Sequence, residues 1–411
     1  MTSSTPPSAS RGHVGFGAMR RMHARSRDEV HRTATPLELF FDLCFVVAVG
    51  QAGLQLVHAI AENHVADGVV GYLYVFFGIW WAWMNFTWFA SAYDCDDVPY
   101  RIATMIAICG VLIYAAGVPR AFADNDWTIT VIGYVVMRVA LTAQWLRAAA
   151  SEDRGPARRT ALIYACGVAL CQLGWITLLI APADWRRWLF LILAAAELLV
   201  PVVAESRHQT PWHPHHIAER YGLFTIIVLG ETMFATTVAV QSALGDIKEF
   251  SELAPIAGGG VLIIFSAWWI YFAVPAHERL KSNRESIPWG YGHFLIFASA
   301  AAIGAGLEVA VEQSIGKAHI PTPTASAAVT VPTAVYLLTV WFLHARHFKE
   351  TLAQQLVLPV AVPAVLLCTL AGHWAVLAAG LVAAATVATG VALANRTPEA
   401  KRSSGTPPSG V

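Results

Sequence analysis

The chain is 411 residues long, 56% apolar and only 13% charged, with 27 basic residues balanced by 27 acidic ones. A soluble chain carries about 25% charged residues. The shortfall excludes an ordinary soluble enzyme, and the apolar load excludes a disordered polymer. Zero net charge offers nucleic acid no basic surface. The composition fits an all-α polytopic transmembrane bundle.

Residues 1–33 are rich in Ser, Pro, Gly and Arg and are expected to form a disordered basic tail, its arginines close to anionic lipid headgroups. Twelve apolar runs follow, at 36–60, 68–92, 100–119, 127–149, 160–181, 187–206, 219–243, 256–275, 289–312, 325–345, 352–371 and 373–395. Each approaches the roughly 20 residues that an α-helix needs to cross a bilayer. They are too long and too uniformly apolar for barrel strands. The first is also too long, and too acidic at its start, for a cleavable signal. Only Gly372 and His373 separate the last two. A second tail, 396–411, is again expected to be disordered.

The odd-numbered loops hold Arg120, Arg186, Arg187, Lys248 and Lys317. Apart from Arg138, within the fourth run, every other lysine and arginine falls in a tail or near an even-numbered loop. Positive charge resists translocation, so both tails are expected in the cytoplasm and the protein in the inner (plasma) membrane.

An internal repeat is expected as well. Phe41 to Gln51 aligns with Tyr221 to Glu231, matching Leu43 to Leu223 and Gly50 to Gly230 and setting Gln51 opposite Glu231. Phe77 to Trp81 then aligns with Phe265 to Trp269, and Pro99 with Pro288. The order is kept, which predicts two parallel six-helix halves, 34–206 and 207–395.

A charge inside a bilayer is costly and needs a partner or a purpose. Arg138, Glu197 and Glu231 each lie near the middle of a run, so the three are expected to meet at one level. Together with Asp42 and Gln51 they form the candidate substrate or proton site. Glu38 and Asp42 are four residues apart, on one face of the first helix. Thr35, Pro36 and Glu38 read as its N-terminal cap. Asp42 lies deeper and is expected to pair with Arg220 or Arg101 at the same membrane face. Glu308 and Glu312 lie one turn apart near the end of the ninth run. His208, His213, His215 and His216 crowd one loop, but the spacing lacks an acidic or cysteine complement, so no metal site and no cofactor is expected. The six cysteines show no CxxC pair and read as small apolar fillers.

The stretch 35–43, TPLELFFDL, resembles the N-terminal signature of the bacterial low temperature requirement A family. So does HIAERYGLFTIIVLGE over 216–231; WGYGHF at 289–294 with AGLE at 305–308 is similar to a third block. The resemblance covers about 35–345. It implies an integral membrane protein and singles out Glu38, Asp42, His216, Glu219, Arg220, Glu231, His293 and Glu308 as motif positions. It brings no reaction with it. Cys44 stands where an aliphatic residue is expected. The function expected is a secondary transporter, proton-coupled, of an unidentified small molecule or ion, with its site between the first and seventh helices, Glu231 as coupling carboxyl and Arg138 as counter-charge. The partners are membrane lipids and that substrate. The alternatives are a membrane-embedded enzyme acting on a lipid or lipid-linked compound, through Asp42, Glu219, Arg220 and the histidines, and a sensor of membrane state.

Overall fold

A computed structural model describes residues 19–25, 29, 32–243 and 247–403. Among them are twelve α-helices and no strand. In chain order they are α1 Pro36–Ala61, α2 Val65–Tyr93, α3 Val98–Ala123, α4 Thr128–Ser151, α5 Pro156–Ile180, α6 Ala183–Glu205, α7 Pro214–Ala243, α8 Ile247–Phe272, α9 Asn283–Ser314, α10 Thr322–Leu343, α11 Leu352–Leu367 and α12 Ala375–Ser403.

Local chemistry sets the starts. Thr35 caps α1 reciprocally with Glu38: the Glu38 amide donates to the Thr35 hydroxyl at 3.3 Å, and the Thr35 amide donates to Glu38 Oε2 at 2.8 Å. Asp97 caps α3 by accepting from the Tyr100 amide at 3.0 Å. Pro36, Pro99 and Pro156 occupy first-turn positions, where their missing N–H costs nothing.

Eleven helical stretches are long and apolar enough to cross a membrane; the last, Leu352–Arg396, has 45 residues. A straight helix of that length would extend about 68 Å, twice what a bilayer requires. It does not run straight. Gly372 sits at φ 61°, ψ −131°, and the chain folds back on itself there. Gln354 at the start of α11 reaches the Leu393 carbonyl near the end of α12, at 3.3 Å. The stretch is therefore an antiparallel hairpin, and the chain makes twelve passes.

Contacts between helix ends define two faces. On the tail face, Arg32 donates to the Ala90 carbonyl at 2.6 Å, Thr160 to the His208 carbonyl at 3.2 Å and Trp212 to Asn283 at 3.0 Å. On the opposite face Arg186 donates to the Asn125 carbonyl at 3.2 Å, joining two loops.

Helices α2 and α9 are the most enclosed, and α1 and α7 cross between them. Small residues set the closest approaches. A Cβ on Gly133 would lie 2.3 Å from the Tyr114 amide, and one on Gly306 would lie 2.1 Å from the Ala328 carbonyl. Neighbour relations recur along the chain. Helix α3 packs on α1 and α4 as α9 does on α7 and α10, and α5 on α4 and α6 as α11 does on α10 and α12. One aligned pair diverges: Trp80 and Trp81 are buried, whereas Trp268 and Trp269 are about half exposed, at 47% and 50%, on the outer surface of α8.

The tail expectation falls largely outside the described residues. In the described part of the first tail, residues 19–25 are anchored although mostly exposed: Met22 is fully buried, the Arg20 amide donates to Asp97 at 2.8 Å, and the Met22 amide donates to Ser151 at 3.0 Å. In the second, helix α12 continues through residue 403 instead of ending at 395. Backbone amides captured by polar groups at helix ends hold the 19–25 strap, a source of order that composition does not reveal.

Candidate functional site

The two longest motifs meet at the crossing of α1 and α7. Arg220 grips Asp42 in bidentate fashion, Nε to Oδ2 at 2.9 Å and Nη2 to Oδ1 at 2.6 Å. Its Nη1 lies 3.0 Å from Glu38 Oε1. His216 Nε2 is 3.2 Å from Glu38 Oε2, and Trp83 donates to Asp42 at 2.7 Å. Glu38, Asp42, His216 and Arg220 are all fully buried. The i, i+4 spacing of Glu38 and Asp42, repeated by His216 and Arg220, sets two ladders face to face. With His216 neutral, this cluster carries a formal charge of −1. The expected Asp42–Arg220 pairing is thus present; Arg101 instead binds Asp96 at 2.7 Å on the surface.

The second charged centre is Arg138 with Glu197, joined at 2.5 Å and fully buried. Glu197 collects four further donors: Trp81 at 2.9 Å, Gln172 at 3.1 Å, and Tyr134 and Trp175 at 3.2 Å. Tyr134 and Arg138 are one turn apart on α4, and Gln172 and Trp175 are three residues apart on α5. Four neutral dipoles and one guanidinium therefore converge on a single carboxylate. Arg138 is less well served, because its Nε and Nη1 are buried without any acceptor. The neutral donors escaped the sequence analysis. The signal was Gln172, a polar side chain inside an apolar run.

Glu231 does not join this centre. It lies partly buried in the α1–α7 seam, where a Cβ on Gly50 would stand 2.4 Å from its Oε1. Among the described residues it makes no ion pair or hydrogen bond. Equal depth puts side chains at one level but leaves helix rotation free, so the expected three-residue meeting reduces to Arg138 and Glu197. Gln51 is partly exposed beside Gly50, and Glu219 is partly buried with its Oε2 unpartnered. His293 forms a separate buried group near the tail face, with Nε2 3.0 Å from the Tyr271 hydroxyl and rings of Trp289 and His344 against it. Glu308 is partly buried one turn from Glu312, in the half of α9 away from His293. Among the described residues no three His, Cys, Asp or Glu side chains are placed to hold a metal ion.

Cavities lie between the face opposite the tails and the surroundings of the Arg138–Glu197 centre. An open vestibule of about 770 Å³ is lined by residues from α1 to α6, including His58, Glu62, Asp67, Arg186 and Arg187. Tyr74, Trp127, Leu178 and Phe190 form its floor and also line a cavity of about 30 Å³ beneath it. The rings of Tyr74 and Phe190 stack there at 4.1 Å. Tyr134 and Trp175, two of the Glu197 donors, line that lower cavity. A third cavity, about 20 Å³, lies beside Arg138 between α1, α2, α3 and α4. A fourth, about 30 Å³, holds Glu205 two turns along α6 toward the tail face. There Glu205 accepts from Thr210, Tyr164 and Asn283 at 2.6 to 3.0 Å.

Charge also orders the tail face. Burial pushes the Asp94 carboxyl up to about 6, reinforced by Glu38 and opposed by Arg32. Burial would raise Asp97 too. Hydrogen bonds from Arg147 and from the Arg20 and Tyr100 amides overcome it and hold that carboxyl down at about 2.

The model of the bacterial low temperature requirement A protein (LtrA) family matches residues 33–394. An uncharacterized protein of Rhizobium meliloti (strain 1021) is 26% identical over 325 residues, 76% of each chain. The match spans both charged centres, eleven complete helices and about two thirds of the twelfth, so this multi-pass membrane protein belongs to the LtrA family.

Proposed function

We propose that the protein is a secondary transporter whose substrate route runs through α1–α6 and is centred on Arg138 and Glu197. The observation that carries this is the alignment of cavities: a wide vestibule, a small chamber under an aromatic floor, and an ion pair buried at the bottom. A charge pair held in oil is costly, and a static lock has no need of cavities on its approach. The Asp42–Arg220 cluster has a different part in this reading. It ties α1 to α7 near the tail face, where the chain is closed while the vestibule side is open. That arrangement corresponds to one end state of alternating access, with the recurring neighbour relations supporting two six-helix halves. The distribution of Lys and Arg supports tails in the cytoplasm of an inner-membrane protein, with the vestibule outside.

The test is flux in proteoliposomes under an imposed pH gradient, across a panel of small anions, cations and neutral solutes. Uptake of at least one solute, lost in Glu197→Gln, is the expected result. A panel with no uptake by the wild-type protein would overturn the reading.

A further inference from the structure

The Arg138 guanidinium is satisfied on one side only. Its Nη2 serves Glu197, while Nε and Nη1, with three N–H bonds between them, have no acceptor and are fully buried. Leaving charged donors unpaired in the interior costs more than the roughly 1–3 kcal/mol of a neutral group. Space exists to repair this. Arg138 lines the cavity of about 20 Å³, which exceeds the ~10–15 Å³ that one water requires.

Two features favour a negative occupant over water. First, none of the residues lining that cavity is acidic; Thr104 and Gln144 are its other polar members. Second, the negative charge of Glu197 is already met by Trp81, Tyr134, Gln172 and Trp175, whose N–H and O–H dipoles all point at it. The Glu197 carboxylate is therefore over-supplied with donors, while the guanidinium has, beyond Glu197, only the Tyr134 ring 5.5 Å from its Cζ, which leaves positive potential on its free side. The other titratable groups acting on Arg138, Tyr134 on α4 and Cys171 on α5, are neutral in their ordinary forms. The vestibule above is charge-balanced, Arg186 and Arg187 against Glu62 and Asp67, so the selectivity for an anion rests on the Arg138 side.

We propose that the free side of Arg138 and its adjoining cavity form a binding site for a small monovalent anion, of halide to formate size. This deepens the transport reading and rests on its placing of the route; it names the substrate class.

The experiment uses the purified full-length protein in detergent, unfolded by heat in sodium chloride, sodium bromide or sodium gluconate at equal ionic strength. Chloride and bromide are expected to raise the midpoint saturably, by about 2–4 °C, and gluconate, too large for the cavity, is not. The rise should vanish in the charge-neutral double variant Arg138→Gln/Glu197→Gln. Equal midpoints in the three salts, or a rise that persists in the double variant, would overturn the site. If the double variant does not fold, wild-type crystals soaked in bromide decide. An anomalous peak within hydrogen-bonding distance of Arg138 supports the site, and none there overturns it. Flux of a cation or neutral solute alongside negative results here would discard the anion site and leave the transporter standing.

Discussion

Arg220 is the residue on which the α1–α7 seam turns. It answers two carboxylates, Asp42 and Glu38, that have no other cation within ion-pair distance among the described residues. Arg220→Gln strands both in a low-dielectric interior and is expected to cost about 3–5 kcal/mol. Asp42→Asn keeps the shape and leaves Glu38 as counter-charge, so it should cost less. Thermal unfolding of the two variants in detergent gives the order. On the tail face the pH response has two signs. Asp97, held at about 2, stabilises the fold above its ordinary value near 3.8, and that contribution is lost as pH falls toward 2. Asp94, raised to about 6, works oppositely: its contribution weakens as pH rises from near 3.8 to 6. For the fold as a whole the two oppose, but the 19–25 strap touches both carboxylates in their ionised form, Arg25 lying 3.7 Å from Asp94 and the Arg20 amide donating to Asp97. Acidification from pH 7 should therefore loosen the strap in two steps, near pH 6 and then below about pH 4, and Asp94→Asn should abolish the first. Protection of the strap from proteolysis at each pH is the measurement. Of these residue-level facts, the Asp42–Arg220 pairing was legible because i, i+4 spacing and shared depth leave few other partners. The Trp81, Tyr134 and Trp175 donors were not, because an aromatic N–H or O–H in an apolar run looks like core until its neighbours are known.

Helices were legible from apolar length alone, since a spanning segment must satisfy its backbone internally. Their rotation was not. Glu231 shares a level with Arg138 yet faces Gly50, and Trp268 and Trp269 face outward where the aligned Trp80 and Trp81 face in. Uniformly apolar helices have no polar side to fix their azimuth; crossings by small residues fix it instead. Substituting Ala for Gly133 would push a methyl into the backbone of α3, which cannot retreat as a flexible side chain does. Gly133→Ala is expected to destabilise by about 1–3 kcal/mol or more, as overpacking does. Gly372→Ala meets nothing within 4 Å and should cost only the backbone strain of a side chain at φ 61°, ψ −131°, about 1–3 kcal/mol. Expression level and unfolding midpoint of the pair check this ranking.

At the scale of the whole molecule, twelve passes return the end of α12 to the face where α1 begins, and basic residues crowd that face among the described residues. Trypsin added to inverted membrane vesicles should cut the tail arginines, while trypsin added to spheroplasts should leave them intact. The vestibule, by contrast, was invisible in the sequence, because it is lined by the ends of five helices and the loops between them, and no local pattern encodes that. It carries the central claim, that a route descends from the open face to Arg138 and Glu197. Accessibility tests it most directly. In a background with the six native cysteines replaced, Phe190→Cys on the vestibule floor and Thr130→Cys in the chamber beneath are exposed to a membrane-impermeant thiol reagent from the vestibule face. The account predicts fast reaction at Phe190→Cys and slower but complete reaction at Thr130→Cys as the floor opens. Reaction at Phe190→Cys with none at Thr130→Cys, under any imposed pH gradient, would contradict it.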